Sequence, residues 1–424
     1  MKSNNKHIIQ DALYGEIEIC PEIYELIKCP LVQRLRQVRL SNIDSVCMPG
    51  IANLSRYEHS IGVAYLASRV KFFNQLSVQD RLILQSAGLI HDTAMTPFGH
   101  LAEEAINYTE KTYKHEAKWS LLFELGEPKE LGGIELQIYH GRESGLRRWV
   151  HKTFEVNAEY VLGEILNAFM GRGKFGQCIA GEMDLDNLDN VTRIAFHMGL
   201  EVDRKLPLRI ANGIERNDAD LGPVFNDSCV KSILEWLELR QEVYNKLMLS
   251  ADDFCGKVML IYSSVLAFER EYLADTDWVL SDDRFIQRLL DCGDKEISET
   301  VTRWLLGELW SLSELIWFDG YPPDFRQTYA FSSMLSKNLG RRCFAYRIKD
   351  KRTRKLSINL VSGDKLSLGE APSKWLLGVA SPIRKEFSVD ENKQIVSLAE
   401  EFFSTQFAGY SSSNESNATL FQIF

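Results

Sequence analysis

The sequence predicts a mostly α-helical fold with a smaller α+β part at its C-terminal end. Three observations predict it. Apolar residues recur at helical spacing through most of the chain, Ser, Asp and Asn stand where helices would start, and a strand-like alternation sets in only after about residue 325. Taken in order, "RYEHSIGVAYLASRVKFF" (56–73) places His59, Val63, Leu66, Ala67 and Val70 on one helical stripe. "SVQDRLILQSAGLIHD" (77–92) opens with Ser77 three residues before Asp80, a capping-box-like start. Leu84, Ala87, Gly88 and His91 then share a face, and the small pair Ala87–Gly88 would let a neighbouring helix come close. Segments 135–169 and 181–199 read as helical, with a Gly-rich loop "GRGKFGQ" (171–177) between them. "LPLRIANG" (206–213) reads as strand, and "NDSCVKSILEWLELRQEVYNKLML" (226–249) as a long helix capped by Asn226 or Asp227. "RRCFAYRIKDKRTRKLSINLVSG" (341–363) reads as a hairpin around a basic turn. The expected layout is 1–265, then an α+β region over 266–410, then a flexible polar tail over 411–424.

Composition narrows the function. The chain has 424 residues, 45% hydrophobic and 25% charged, which is ample for a large core. Its formal net charge of -10 argues against general nucleic-acid binding, which rests on clustered Lys and Arg. One local exception is the run Arg341, Arg342, Arg347, Lys349, Lys351, Arg352, Arg354 and Lys355. It is either a solvated turn or a site for nucleotide phosphates or single strands, helped by Phe344 and Tyr346. Eight cysteines are scattered without a C-x-x-C pair, no secretory leader is legible, and apolar runs such as "VMLIY" are too short to span a membrane. The expectation is a cytoplasmic protein with reduced thiols and no membrane partner.

One constellation carries chemistry. "GLIHDTAMTPFGH" (88–100) packs His91, Asp92 and His100 among apolar residues. With His59 and Asp186, the pair His91–Asp92 could build a metal site of two imidazoles and two carboxylates. Such a set suits Mn, Fe, Co, Ni, Zn or Mg, and a metal there would polarise a phosphoryl oxygen and activate water. Dense buried charge is costly unless it coordinates something. Arg56, one turn before His59, would point to the same place and could clamp a phosphate.

The stretches "DALYGEIEI" (11–19), "CPLVQRLRQV" (29–38), "MPGIANLSRYEHSIGVAYLA" (48–67), "HD" (91–92), "TPFGHLAEEA" (96–105), "KHEAKWS" (114–120), "DLDNLD" (184–189) and "LELRQEVYNK" (237–246) together carry a resemblance. The chain resembles the HD-domain metal-dependent phosphohydrolases, and within them the deoxynucleoside triphosphate triphosphohydrolases. That resemblance implies a helical core and a divalent metal held by His59, His91, Asp92 and Asp186. It also implies His100 as the acid that protonates the leaving oxygen, Glu103 holding its ring, and His115 stabilising phosphate oxygens. Asn187, Asn190 and Tyr244 fall at substrate-binding positions, and Gln33 and Arg36 at a nucleotide-effector site, which in this branch is commonly built between subunits of a homo-oligomer.

The pattern is also broken in places. Met95 stands where the family usually has a His, Asn187 where it has a Lys and Asn190 where it has a Tyr. Ile194 and Leu40 replace the Asp and Gln that read the sugar hydroxyl, and Lys28 replaces an Asp that reads guanine in some members. Metal and acid/base residues are kept while hydroxyl readers are lost, and a site without such readers cannot discriminate by them. The expected activity is hydrolysis of a nucleotide phosphoester, most of all of a (deoxy)nucleoside triphosphate to nucleoside and tripolyphosphate. The alternatives are a phosphodiesterase or nucleotidase with one or two metals, or a degenerate nucleotide- or nucleic-acid-binding module.

Overall fold

The computed structural model describes residues 6–41, 46–109, 145–216 and 222–411. The chain opens with a hairpin of β1 (His7–Asp11) and β2 (Gly15–Ile19), paired from His7–Ile19 to Asp11–Gly15. Two short helices follow, α1 (Pro21–Ile27) and α2 (Pro30–Arg34), each begun by a proline whose missing N–H costs nothing at a helix start.

The helical heart is α3 (Arg56–Ala67) against α4 (Val78–Ile90). Ser55 caps α3 by accepting the Glu58 N–H, and Ser77 caps α4 by accepting that of Asp80, the second as the sequence pattern predicts. The close approach expected at Gly88 is present: a Cβ there would lie 3.3 Å from the Ala64 backbone. After α5 (Leu101–Tyr108) the described chain resumes with α6 (Leu146–Phe154), α7 (Ala158–Phe169) and α8 (Gly176–Ile179). Helix α9 (Leu185–His197) starts on Asp184, whose carboxylate accepts the Asn187 N–H, and lies across α3.

Segment 206–213 is not strand. It forms α10 (Leu206–Asn212), with Pro207 in its first turn and Leu206, Ile210 and Ala211 buried at helical spacing. A small hairpin, β3 (Ile214–Arg216) with β4 (Pro223–Phe225), leads to α11 (Val230–Leu249). Asn226 caps the 3-10 turn that precedes α11. Helix α12 (Ala251–Glu269) is buried on every side, as a central helix of a large core must be. It carries Asp253 and Lys257 among its buried residues, and no described helix is long and apolar enough to cross a membrane. Helices α13 (Asp282–Leu290) and α14 (Lys295–Leu305) pack beside it.

The α+β part holds strands β5 (Ser311–Leu312), β6 (Ile316–Asp319), β7 (Phe344–Lys349), β8 (Leu356–Asn359), β9 (Lys365–Leu368), β10 (Lys374–Ser381) and β11 (Phe407–Tyr410). It also holds helices α15 (Phe325–Asn338) and α16 (Val389–Phe403). The predicted hairpin over 341–363 is absent. β7 pairs with β10, from Phe344–Ala380 to Lys349–Trp375, while β8 pairs with β9. The other edge of β10 is shared by β6 and β5, and β11 extends the sheet beyond β6.

Both faces of this sheet are covered at its centre, so β10 is buried almost throughout. Alternation sorts the side chains. Phe318, Ala345, Trp375, Leu377 and Val379 form one apolar cluster with Phe331 and Leu335 of α15 and Ile395 and Ala399 of α16. Trp317, Phe344, Tyr346, Leu376 and Ala380 point the other way, into the core of the helical part. Phe344 and Tyr346 are therefore core residues, not a stacking platform for bases. The sheet rests on α5: the Tyr346 hydroxyl donates to Glu104 Oε2 at 2.6 Å, and Arg326 Nε donates to the Thr109 carbonyl at 2.9 Å.

Candidate metal centre

Three elements bring the predicted ligands together. His59 sits in the first turns of α3, His91 ends α4, and Asp186 opens α9. His59 Nε2 lies 3.2 Å from His91 Nε2 and 3.0 Å from Asp186 Oδ1. Asp92 Oδ2 approaches to 3.5 Å from His91 Nε2 and 3.8 Å from His59 Nε2. His59 is wholly buried, and Asp186 keeps one third of its side chain in solvent, on the open side of the group.

The outer nitrogens decide what the inner ones can do. His59 Nδ1 lies 2.8 Å from Asp189 Oδ1, and His91 Nδ1 lies 2.8 Å from the Gly88 carbonyl oxygen. Both acceptors require N–H at Nδ1, so each neutral ring turns a bare Nε2 lone pair inward. Two such lone pairs 3.2 Å apart cannot hydrogen-bond to each other. A cation shared with the Asp186 carboxylate satisfies both. His59, His91 and Asp186 thus form a group whose ligand atoms could hold a metal ion. Two imidazoles with carboxylates match the donor preferences of Mn, Fe, Co, Ni or Zn better than those of Mg. The field agrees with a cation site. Burial disfavours charge on His59, yet the Asp186 and Asp189 carboxylates hold its pKa up at about 9, so a proton on Nε2 supplies the positive charge there until a metal ion displaces it and frees the lone pair. Asp92 is lowered to about 2 despite its burial, through Arg56 and the two rings.

Behind the group stands a braced charge network. Asp189 Oδ1 also accepts from Arg193 Nε at 2.8 Å, and Asp189 Oδ2 accepts from Arg193 Nη2 at 3.0 Å and from the Tyr14 hydroxyl at 2.8 Å. Arg193 Nη1 continues to Asp11 at 3.0 Å and Glu58 at 2.6 Å, and Glu58 also meets His197 Nε2 at 2.9 Å. Gly62 makes room for it: a Cβ there would lie 2.0 Å from Asp189 Oδ2 and 2.3 Å from Arg193 Nη2. Asp189, Tyr14 and Asp11 carry no role expected from the sequence, although all three lie inside the stretches that carry the resemblance. The available signal was the i, i+4 spacing of Asp189 and Arg193.

The remaining predicted residues divide. Arg56 is buried and donates to Asp92 Oδ2 at 2.5 Å and to the Leu40 carbonyl at 3.1 Å, so it holds a predicted ligand. His100 begins α5, and its Nδ1 meets Glu103 Oε2 at 2.9 Å. Asn187 turns its amide to Asp184 at 2.9 and 3.2 Å. Asn190 Oδ1 is buried with no hydrogen-bond partner among the described residues. Tyr244, on α11, carries Arg240 over its ring at 4.4 Å. Gln33 Nε2 donates to the Ile27 carbonyl at 2.7 Å, and Arg36 Nη1 reaches Gln33 Oε1 at 3.4 Å on the surface. Met95, at the position of the lost His, is buried. The loop after Asp92 is tied down by buried Arg34, which donates to the Met95, Trp278 and Leu280 carbonyls at 2.8–2.9 Å. His115 and the tail beyond residue 411 lie outside the described residues.

Comparison with known proteins meets this geometry at the same place. Residues 56–167 match the family model of the HD domain. That match begins at Arg56 and takes in His59, His91, Asp92 and His100. The chain is similar to deoxynucleoside triphosphate triphosphohydrolase SAMHD1 of Homo sapiens, 33% identical over 269 residues, covering 56% of this chain and 41% of that protein. It is similar to the protein of the same name from Danio rerio, 27% identical over 223 residues, covering 46% of this chain and 34% of that one. An uncharacterized protein of Methanocaldococcus jannaschii is 23% identical over 192 residues, 45% of this chain and 34% of its own length. The chain thus matches less than half the length of each of these relatives.

Proposed function

We propose that this chain hydrolyses nucleotide phosphoesters at the HD centre, and that it converts (deoxy)nucleoside triphosphates to nucleoside and tripolyphosphate. The observation that carries this reading is the pair of opposed Nε2 atoms of His59 and His91 beside the Asp186 carboxylate. The names of the relatives from Homo sapiens and Danio rerio support the substrate class. A divalent ion held by these residues and Asp92 would polarise a phosphoryl oxygen and supply a hydroxide-like nucleophile near neutral pH.

The chain's own residues do the rest. Glu103 fixes Nδ1 of His100, which directs Nε2 of the imidazolium toward the leaving ester oxygen as proton donor. Arg56 holds Asp92 in its charged form and adds positive charge beside the phosphate chain. By the resemblance His115 would stabilise phosphate oxygens, and Asn187, Asn190 and Tyr244 would serve the nucleoside side. Gln33 and Arg36 belong to an effector site between subunits of a homo-oligomer, and the protein works in the cytoplasm with its thiols reduced.

The test is chromatography of products from the metal-loaded full chain with dNTPs, NTPs, monophosphates and cyclic nucleotides, with and without nucleotide mixtures as effectors. Nucleoside and tripolyphosphate are expected. Inorganic phosphate from monophosphates, or opened cyclic nucleotides, would replace the substrate and keep the centre. No product with any metal would leave a binding module.

A further inference from the structure

A small cavity of about 120 Å³ lies between α5, α11 and β7. Two of its lining residues tie it to the chemistry. Glu104 follows Glu103 in the first turn of α5 and donates its N–H to the His100 carbonyl at 2.8 Å, and Tyr244 stands at one of the proposed nucleoside-side positions. The lining is strongly cationic: Lys257, Arg347, Lys349 and Lys351 face one carboxylate, Glu104. That carboxylate is already engaged by Lys257 Nζ at 3.3 Å and by the Tyr346 hydroxyl at 2.6 Å.

Two further observations point to a missing anion. Arg240, which stacks on Tyr244 from outside the lining, is 7% exposed, yet its Nε and Nη1 have no hydrogen-bond partner among the described residues. Arg347 Nε is likewise buried without one. Buried cations of this kind are costly unless an anion reaches them. The volume sets the size of that anion. It equals roughly four waters, and it falls below the ~300–1,000 Å³ of sites that enclose whole small molecules. It therefore takes a group, not a nucleoside. Leu40 and Ile194 are apolar and buried, so neither reads a sugar hydroxyl.

We propose that this cavity binds a second phosphate of the substrate, so that the nucleotide taken by the centre carries a phosphomonoester on its sugar hydroxyl as well as its 5′ phosphates. The claim rests on the reading of the centre as a nucleotide phosphohydrolase and names its substrate class. Arg347 and Lys351 contact the added phosphate from the sheet side, and Lys257 from the helical side.

Calorimetric titration of the full chain with 2′-deoxynucleoside 3′,5′-bisphosphates and the matching 5′-monophosphates, for all four bases, tests it. The 3′-phosphate is expected to tighten binding by about tenfold or more, the scale of one charge-assisted contact set. Lys351→Ala and Arg347→Ala should each remove most of that gain while moving the monophosphate Kd by less than about twofold. Lys351 is exposed, so its variant leaves the fold intact. Equal Kd values for the two ligands, or a gain that survives both variants, would overturn the proposal. So would tight binding of inorganic phosphate alone with no gain from the 3′-phosphate, which would mark a free-anion site. The two readings fail separately. A bisphosphate advantage without cleavage of any 3′-phosphorylated triphosphate sinks the activity and keeps the cavity. Cleavage of ordinary triphosphates without that advantage does the reverse.

Discussion

Asp189 accepts the Nδ1 proton of His59 at 2.8 Å, and so decides which nitrogen of a wholly buried imidazole faces the centre. Partners of metal-binding histidines typically change affinity by about 10–100-fold when altered. Asp189→Asn keeps the size and removes the charge. Its metal affinity, read by competition with a chelator, is expected to fall within that range. Unchanged affinity would mean that Asp189 serves only the ion pair with Arg193.

Asp92 and His100 should separate metal from chemistry. Asp92→Ala is expected to lose bound metal and activity together. His100→Ala should keep its metal content, measured by elemental analysis, and lose about 10²–10⁴ in kcat, the usual size of a general acid. Full turnover by His100→Ala would remove it from the mechanism.

The two close helix contacts differ in what they tolerate. A Cβ at Gly62 would meet Asp189 Oδ2 at 2.0 Å, whereas one at Gly88 would meet Ala64 at 3.3 Å. Overpacking costs ~1–3 kcal/mol. Gly62→Ala is expected at the top of that range with weakened metal binding, and Gly88→Ala near its bottom with binding intact. Urea denaturation with and without metal checks both.

Lys257 gives the protein an alkaline signature. Its burial lowers its pKa to about 8 although Glu104 opposes the shift. Below pH 8 the folded and unfolded states both hold the proton, so stability does not change on its account. Between pH 8 and the unfolded value near 10.4, the native state has released a proton that the unfolded chain keeps. Stability therefore rises with pH across that window. Relative to Lys257→Met, wild type should gain on the order of 2 kcal/mol there. A flat difference between pH 8 and 10 would show that Lys257 is not desolvated.

Local signals made much of this protein legible. Ser77 caps α4, and Asn226 caps the turn that leads into α11, because a cap depends on a few neighbouring residues. His59 and His91 lie on inward stripes for the same reason, and the small Ala87–Gly88 pair marked a close helix approach, whose partner proves to be Ala64. What escaped depends on distant partners. "LPLRIANG" is too short for its period to separate helix from strand, and packing decided it. β7 follows β-favouring chemistry, but its partner is β10 rather than the adjacent β8, and nothing local encodes that register. Asp189 was visible as one of two acids on α9; only Tyr14, 175 residues away, and His59 show which way it faces.

The grip of the sheet on α5 has a consequence for inheritance. Tyr346 holds Glu104, Arg326 holds the end of the helix at Thr109, and Tyr108 packs against Phe325 and Phe344. The helix that begins with His100 is thus finished by residues more than two hundred positions later. A lineage could not shed the C-terminal half by a single stop codon and keep the centre, because the same cut would strip the far side of α5 bare. The two halves are bound to travel through descent as one gene.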